Sequence, residues 1–196
     1  MKKLEELIIH RAQESARLQE SFCQQASGQI LQITKSLAKV IQNGGKILVA
    51  GNGGSAADAQ HFAAEMVNRF LMERRPLPVL ALTTDTSVLT SISNDYSYEL
   101  IFSKQVEALG SENDAFIAIS TSGTSLNILK ALEKANAMSM LTVGLAGTPD
   151  SQMTKQCDFC LAVDEGSTPR IQEVHHLVLH LVAELLEILL FTDKNE

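Results

Sequence analysis

The sequence has no tryptophan, two tyrosines, three cysteines and four prolines in 196 residues. An odd and small number of cysteines argues against a disulfide framework. Cys157 and Cys160 form a C-x-x-C pair, but no second pair accompanies it, so ordinary thiols beside a strand are favoured over a zinc or redox site. No uncharged apolar run reaches the ~18 residues of a membrane span, and the N-terminus lacks the apolar segment of a signal peptide. These absences predict a soluble, cytoplasmic protein.

Charge and composition limit the partners and the number of domains. The formal net charge is −7, with 45% apolar and 20% charged residues. A negative surface argues against a nucleic-acid or anionic-membrane partner. The length suits one domain, residues 1–196, with a sizeable core. We expect 1–43 to form N-terminal helices used in oligomerisation and 44–196 to form the core, because the arm and the last helix carry more apolar surface than one such domain can bury.

Short apolar runs alternate with helical patterns along the core. The predicted strands are 46–50, 79–82, 114–120, 140–145 and 158–163, and the predicted helices are an alanine-rich segment after Gly54 and then about 83–95, 98–109, 126–137 and 169–191. This alternation predicts an α/β fold, a three-layer αβα sandwich with a five-stranded, mainly parallel sheet. Such sheets place ligands at the carboxyl ends of their strands.

The loop after the first predicted strand is rich in glycine and reads Gly51-Asn52-Gly53-Gly54-Ser55. Its backbone can adopt positive φ and approach a ligand closely. A dinucleotide-binding site requires an acidic residue about 20 positions further on, at the end of the second strand, whereas Asp85 comes later. The lysine of a phosphate-binding P-loop is also absent from this loop. A sugar-binding loop is therefore favoured, with Asn52 and Ser55 reaching hydroxyl groups.

A second polar loop follows the third predicted strand. It places five hydroxyl groups in six residues, at Ser120, Thr121, Ser122, Thr124 and Ser125. The alternative is a routine helix N-cap, for which one hydroxyl would be enough. Hydroxyl donors, loop amides and the helix dipole together suit a phosphate monoester without any lysine. We interpret this loop as a phosphate site.

Two helices carry polar side chains with acid–base or metal-binding chemistry. His61 and Glu65 are four residues apart and share one helical face, although core-adjacent bystanders are equally possible on spacing alone. On the last helix three polar side chains recur at i, i+4 and i+8: Gln172, His176 and His180. Imidazole rings in an apolar stripe need partners or a function. His175 lies about 100° from His176 and is predicted to be structural.

These segments together resemble the sugar isomerase (SIS) domain family and, within it, the phosphoheptose isomerases, which act on sedoheptulose 7-phosphate. The resemblance spans the N-terminal helices to the last helix. It is carried by 51–55, Asp58 to Glu65, Asn94-Asp95, 120–123, Arg170 to Glu173 and His180. One departure is Pro169, where some relatives have an acidic residue before the arginine.

The resemblance implies a homotetramer with sites at subunit contacts, a phosphorylated seven-carbon sugar as substrate, and one zinc per subunit. The implied zinc ligands are His61, Glu65, Gln172 and His180, and the implied acid–base pair is Glu65 and His180. With the loop interpretations, the predicted substrate-binding residues are Asn52, Gly53, Gly54, Ser55, Glu65, Asn94, Asp95, Ser120, Thr121, Ser122, Ser125 and Gln172. Ligation of zinc by Glu65 would compete with its use as a base. Gln172 and His180 are separated by about 12 Å of helix rise, so both side chains would have to extend toward each other to reach one metal.

The implied reaction converts sedoheptulose 7-phosphate to D-glycero-D-manno-heptose 7-phosphate through an enediol, the first step of ADP-heptose synthesis for lipopolysaccharide core or capsule. A carboxylate base and an imidazole that protonates oxygen suit this proton transfer. The alternative is a non-catalytic SIS-domain regulator that binds the replication initiator protein. That relative lacks a carboxylate at position 65 and an imidazole at position 180, and this sequence has both.

Overall fold

The computed structural model describes residues 1–192, so the last four residues of the predicted domain lie outside the described residues. The helices are α1 (Lys2–Gln42), α2 (Gly54–Val67), α3 (Thr86–Asp95), α4 (Ser103–Leu109), α5 (Leu126–Ala137) and α6 (Thr168–Phe191). The strands are β1 (Ile47–Gly51), β2 (Val79–Ala81), β3 (Ala115–Ser120), β4 (Leu141–Ala146) and β5 (Phe159–Ala162).

The five strands form one sheet in the order β2-β1-β3-β4-β5. Every neighbouring pair is parallel, with Ile47 opposite both Val79 and Ala115 in the register. β1 and β3 are buried along their full length, which is why they appear in the sequence as continuous apolar runs. The predicted mainly parallel sheet is confirmed.

Helices cover both faces of the sheet, because successive strand residues point to opposite sides. Val49 and Ile117 face α1, α2 and α6 in one apolar cluster, and Leu48 and Phe116 face α4 and α5 in the other. The three-layer αβα sandwich predicted from the sequence is thereby confirmed.

The N-terminal arm differs from the predicted helices in being one continuous helix of 41 residues, α1. Gly28 lies in its middle, but a single interior glycine costs only about 1 kcal/mol and does not end a helix. The second half of α1 packs against the sheet and α6 through Ile30, Ile33 and Leu37. The first turns leave Leu4 and Ile8 more than 60% exposed.

The predicted helix 98–109 is also corrected, since the structure has a 3₁₀ turn at Tyr98–Leu100 followed by α4. Ile101 and Phe102 turn into the core between them and are each 2% exposed. Burial of these two side chains replaces one regular helix by two short pieces. Asp85 caps α3 by accepting from the Val88 amide at 3.0 Å, which is a structural role.

α6 is long and apolar enough to cross a membrane by length and composition, with a mean hydropathy of 1.8 in its most apolar window. Of that window 44% is buried inside the fold. α6 packs against both α1 and α2. A core helix has these same properties.

Candidate active site

The sheet order places a crevice at the carboxyl ends of β1 and β3. These strands are neighbours, yet α2, which follows β1, covers one face and α5, which follows β3, covers the other. Helices that diverge to opposite faces leave a cleft between them, and ligands of open α/β sheets bind there. Both polar loops predicted from the sequence, 51–55 and 120–125, lie at this point.

The glycine loop is shaped for close approach of a ligand. Gly53 has φ +55°, a left-handed conformation that favours glycine. A Cβ on Gly51 would lie 2.5 Å from the Ser55 carbonyl oxygen, so only glycine fits. α2 begins at Gly54, and its first N–H groups therefore face the crevice. Ser55 itself is 3% exposed.

Asn52 is held by two reciprocal amide hydrogen bonds with Asn127 on α5, both 2.9 Å long. Tyr98 adds a third, donating its hydroxyl to Asn52 Oδ1 at 3.0 Å. The side chain that the sequence assigned to sugar binding is thus fixed in orientation by two other elements. Neither Asn127 nor Tyr98 was predicted, because each lies far from Asn52 in the sequence.

The serine loop is a compact group of hydroxyls. Ser120 is 4% exposed, and its Oγ lies 3.0 Å from Ser125 Oγ and 3.4 Å from Ser122 Oγ. The Gly123 amide donates to Ser120 Oγ at 3.2 Å. α5 begins just after, at Leu126. Hydroxyls and helix N–H groups thus converge, while Thr121 is half-buried and Ser122 is exposed.

Asn94 and Asp95 are exposed at the end of α3, where the Asn94 amide donates to Asp95 Oδ1 at 2.9 Å. They lie only three to four residues before Tyr98, whose hydroxyl reaches Asn52 in the glycine loop. The end of α3 is thus connected to the crevice through Tyr98.

A cluster of imidazoles and carboxylates lies where α2 and α6 pack together. The spacing of Asp58, His61 and Glu65 puts them on one face of α2, and Gln172, His176 and His180 lie on one face of α6. His61 Nε2 lies 2.7 Å from His180 Nε2 and 3.6 Å from Glu65 Oε1. Phe70 stacks on the His180 ring with centroids 5.3 Å apart. The predicted acid–base pair thus flanks His61.

Two residues enter this cluster beyond the predicted ligands. His176 Nδ1 lies 3.0 Å from Asp58 Oδ1, and the His176 ring stacks on His61 at a centroid distance of 4.8 Å. Their signal in the sequence was spacing, since Asp58 precedes His61 by three residues and His176 precedes His180 by four. Gln172, a predicted ligand, lines one pocket with Asp58, His176 and His180. It also lies close to Gly54, since a Cβ on that glycine would be 2.6 Å from its amide nitrogen.

Burial and neighbouring imidazoles set the electrostatics of the cluster. Burial lowers the pKa of His180, and the adjacent His176 and His61 lower it further. His180 is therefore neutral at pH 7 and can offer a ring nitrogen as an acceptor or ligand.

His175 points away from this cluster and is fully buried. Its Nε2 donates to the Ala146 carbonyl at 3.1 Å, and burial lowers its pKa to about 4. Its Nδ1 has no hydrogen-bond partner among residues 1–192. The ring packs α6 onto β4, in line with the structural role predicted for it.

The chemistry of the cluster fits a metal ion. The ligand nitrogens of His61, His176 and His180 all lie within 4.8 Å of one another. Imidazoles and a nearby carboxylate are the ligands that zinc and similar divalent ions prefer. These residues could therefore hold a metal ion between α2 and α6.

Comparison with known proteins agrees with this arrangement. The SIS domain family model matches residues 12–147. A phosphoheptose isomerase of Nitratidesulfovibrio vulgaris is 47% identical over 95% of this chain and 89% of its own length, and one of Aneurinibacillus thermoaerophilus is 53% identical over 84% of this chain and 83% of its own. The structure of phosphoheptose isomerase GmhA from Neisseria gonorrhoeae superposes with a TM-score of 0.89 at 39% identity, covering 94% of this chain and 98% of that one. The chain belongs to the SIS domain family and, within it, to the phosphoheptose isomerases.

Proposed function

We propose that this protein is an aldose–ketose isomerase that converts sedoheptulose 7-phosphate to D-glycero-D-manno-heptose 7-phosphate. The observation that carries the proposal is the meeting of Glu65 on α2 and His180 on α6 around His61, beside a loop crevice suited to a phosphosugar. An isomerase of this type needs a base that removes a proton from carbon and an acid that protonates oxygen, both within reach of one substrate. Relatives that are named phosphoheptose isomerase and that match nearly the whole chain support this proposal.

The two loops supply binding and orientation. The phosphate suits the serine loop, where Ser120, Ser122 and Ser125 hydroxyls and the first N–H groups of α5 converge. The sugar hydroxyls suit the glycine loop, where Asn52 is already oriented by Asn127 and Tyr98. Because these groups are fixed before the substrate arrives, binding them costs little conformational entropy. Asn94, Asp95, Thr121 and Gln172 are the further binding residues in this proposal.

The chemical step moves one proton between neighbouring carbons. Glu65 removes a proton from C1 of the ketose and, after exchange of the carboxyl proton with solvent, delivers a proton to C2, while His180 moves a proton between the two oxygens as the enediol forms and collapses. A neutral His180, as its lowered pKa requires, can accept the proton from the C1 hydroxyl. Glu65 thus acts on the two carbons, and His180 on the two oxygens, of one two-carbon unit.

We assign a zinc ion, one per subunit, to the cluster of His61, His180 and their neighbours. When bound, zinc supplies Lewis-acid polarisation of the carbonyl and stabilises developing negative charge on oxygen. Glu65 lies 3.6 Å from His61 Nε2, close enough to act on a substrate held at the same centre.

We also propose a cytoplasmic homotetramer acting in ADP-heptose synthesis. The support for an oligomer is the exposed apolar surface of the first turns of α1, including Leu4, Ile8 and Ile9. Sedimentation velocity tests this part, and a monomer at micromolar concentration would contradict it. The regulator that binds a replication initiator is not favoured, because Glu65 and His180 are both present.

The test is turnover of sedoheptulose 7-phosphate in D₂O, followed by NMR of the product. We expect the aldose to form with solvent deuterium at C2, and Glu65→Gln to lower kcat by about 10²–10⁴-fold. Glu73→Gln is the matched control, because its side chain is 92% exposed and the change removes the same charge. Absence of turnover in the wild type would overturn the proposal. Full turnover in Glu65→Gln would overturn the role of Glu65.

A further inference from the structure

We propose that Cys157 and Cys160 form a dithiol that a hydroperoxide converts reversibly to a disulfide within the chain. The two cysteines pack on the opposite face of the sheet from the imidazole cluster between α2 and α6. The C-x-x-C spacing alone favoured ordinary thiols, because spacing does not show whether two side chains meet. The structure has all three cysteines as free thiols and brings these two together.

The first argument is the meeting of both sulfurs at one glycine. Gly144 lies in the interior of β4, where a glycine weakens a strand and often marks the close approach of another group. A Cβ on Gly144 would lie 2.8 Å from the Sγ atoms of both Cys157 and Cys160. The space that a side chain would fill is therefore taken by two sulfurs, which are neighbours because both contact the same point.

The second argument is that the backbone holds the two thiols in place. Cys160 lies opposite Gly144 in the register of β5 on β4, so both positions are on the same face of the sheet. Cys157 precedes β5 and reaches the same point because the chain bends at Asp158. The Asp158 carboxylate accepts from the Thr142 amide at 2.8 Å and from its hydroxyl at 2.9 Å, and the Asp158 amide donates to Thr142 Oγ1 at 3.0 Å. These bonds fix the bend before any reaction.

The third argument is the difference in acidity between the two thiols. Hydrogen bonding between them raises the pKa of Cys157 and lowers the pKa of Cys160. Burial and the neighbouring Asp158 carboxylate raise the pKa of Cys157 further. The thiolate is the form that attacks peroxides, and both side chains are only partly buried. Cys160 is therefore the thiol that reacts first, and Cys157 is the thiol that closes the disulfide.

The reaction is a two-electron oxidation of the pair. The Cys160 sulfur attacks one oxygen of the hydroperoxide, the O–O bond breaks, and the other oxygen leaves with the Cys160 proton as water or an alcohol, which gives a sulfenic acid on Cys160. The Cys157 sulfur then attacks the Cys160 sulfur, the S–S bond forms, the S–O bond breaks, and the hydroxyl leaves as water with the Cys157 proton. An external dithiol reverses the process by exchange.

The test is oxidation of the full chain by a small excess of hydrogen peroxide, followed by thiol counting in denaturant and by mass spectrometry. We expect a loss of about 2 mass units, with Cys23 alone of the three cysteines still free. Trypsin cleaves after Lys155 and Arg170, so one peptide should contain both cysteines and an internal disulfide. Dithiothreitol should restore all the free thiols.

Single variants test the roles of the two sulfurs and of the glycine. Cys23→Ser is the matched control, because Cys23 lies on α1 and burial raises its pKa, and it should form the disulfide like the wild type. In Cys157→Ser a sulfenic acid should accumulate on Cys160, where dimedone traps it. Cys160→Ser should react at least about 10-fold more slowly than Cys157→Ser. Gly144→Ala puts a methyl group against both sulfurs and should slow disulfide formation about 10-fold.

Retention of all three thiols under conditions that oxidise glutathione would overturn this inference, as would a disulfide that includes Cys23 or joins two chains. Equal dimedone labelling of Cys157 in Cys160→Ser and of Cys160 in Cys157→Ser would overturn the order of reaction. Should Gly144→Ala fail to fold, the cysteine variants still decide, because each replaces one sulfur by oxygen and adds no volume. None of these measurements uses a phosphosugar, so their outcome is independent of the proposed isomerase activity.

Discussion

Glu187 on α6 provides the strongest single test of the packing, because its carboxylate is almost fully buried and fully engaged. Its side chain is 2% exposed, and that of its partner Arg74 is 1% exposed. The carboxylate accepts from the Phe70, Leu71 and Met72 amides at 2.8–2.9 Å and from Arg74 Nε at 3.0 Å. We expect Glu187→Gln to be strongly destabilising.

The expected loss of stability follows from the hydrogen bonds that the glutamine side chain cannot make. A glutamine oxygen can keep about two of the four donors, while its NH₂ group faces the others and leaves them unsatisfied. Each lost bond to a charged acceptor is worth about 1.5–3 kcal/mol, and a buried arginine without its counterion costs about 3–5 kcal/mol. These figures describe overlapping effects, so we expect a loss of about 3–5 kcal/mol out of a total stability of roughly 5–15 kcal/mol.

The assay is urea unfolding of both proteins at equal protomer concentration, because association also contributes to stability. With a slope of about 1–3 kcal/mol per M, the midpoint should fall by at least about 1 M. Glu184→Gln, one turn earlier on α6 and partly exposed, should change stability by less than about 0.5 kcal/mol. A loss below about 1 kcal/mol in Glu187→Gln would refute the assigned hydrogen-bond network.

The same residue predicts a dependence on pH. Burial raises the pKa of Glu187, but the three amide donors and Arg74 outweigh burial and hold the pKa below its usual range. A carboxyl with a lowered pKa stabilises the fold above its unfolded pKa, about 4.3, and this stabilisation is lost as the pH falls through the folded value. The difference between the wild type and Glu187→Gln should therefore shrink below about pH 4.

Three further predictions test the loops, the arm and the metal. Gly147→Ala would place a Cβ 2.0 Å from the Thr121 carbonyl oxygen, so we expect the serine loop to shift and kcat/KM for the phosphosugar to fall about 10–100-fold; unchanged kinetics would contradict the placement of that loop. Gly28→Ala meets open space in the middle of α1 and should raise the free energy of unfolding by about 0.5–1 kcal/mol, which denaturant unfolding can measure; a loss of stability would show that Gly28 has a contact in the assembly. Zinc at 100 times its Kd should stabilise the protein by about 2.7 kcal/mol, seen as a rise in Tm that EDTA reverses and that His61→Ala lacks.

Most of the fold could be predicted because burial leaves a local pattern. β1 and β3 are buried on both faces, so they appear as continuous apolar runs, and each predicted boundary lies within one or two residues of the observed one. The glycine and serine loops follow from the same reasoning, because parallel strands end at the same edge of the sheet. The sequence predicted helices in the N-terminal arm but not that they form one continuous helix. The apolar residues of the arm form two stripes, and their spacing does not show whether the helix between them is unbroken.

The side-chain network of the site could be predicted only in part, because its partners are distant in sequence. Asp58 and His176 are 118 residues apart, and Asn52 and Asn127 are 75 apart. Helical spacing indicates which residues share a face, and it grouped Gln172, His176 and His180 correctly on α6. It does not tell which of the three meets the facing helix, since that depends on how α2 and α6 cross.

The position of the Arg74–Glu187 pair has a consequence for the site as well as for stability. Buried ion pairs often contribute little net stability compared with apolar residues of the same shape, so stability alone is a weak reason for this one. Arg74 also donates to the carbonyl oxygens of Glu65, Met66 and Asn68, which satisfies the free carbonyls at the end of α2. Glu187 lies two turns beyond His180 on α6. The pair therefore joins the end of the helix that carries the base to the helix that carries its acid–base partner, in addition to the apolar packing between the two helices.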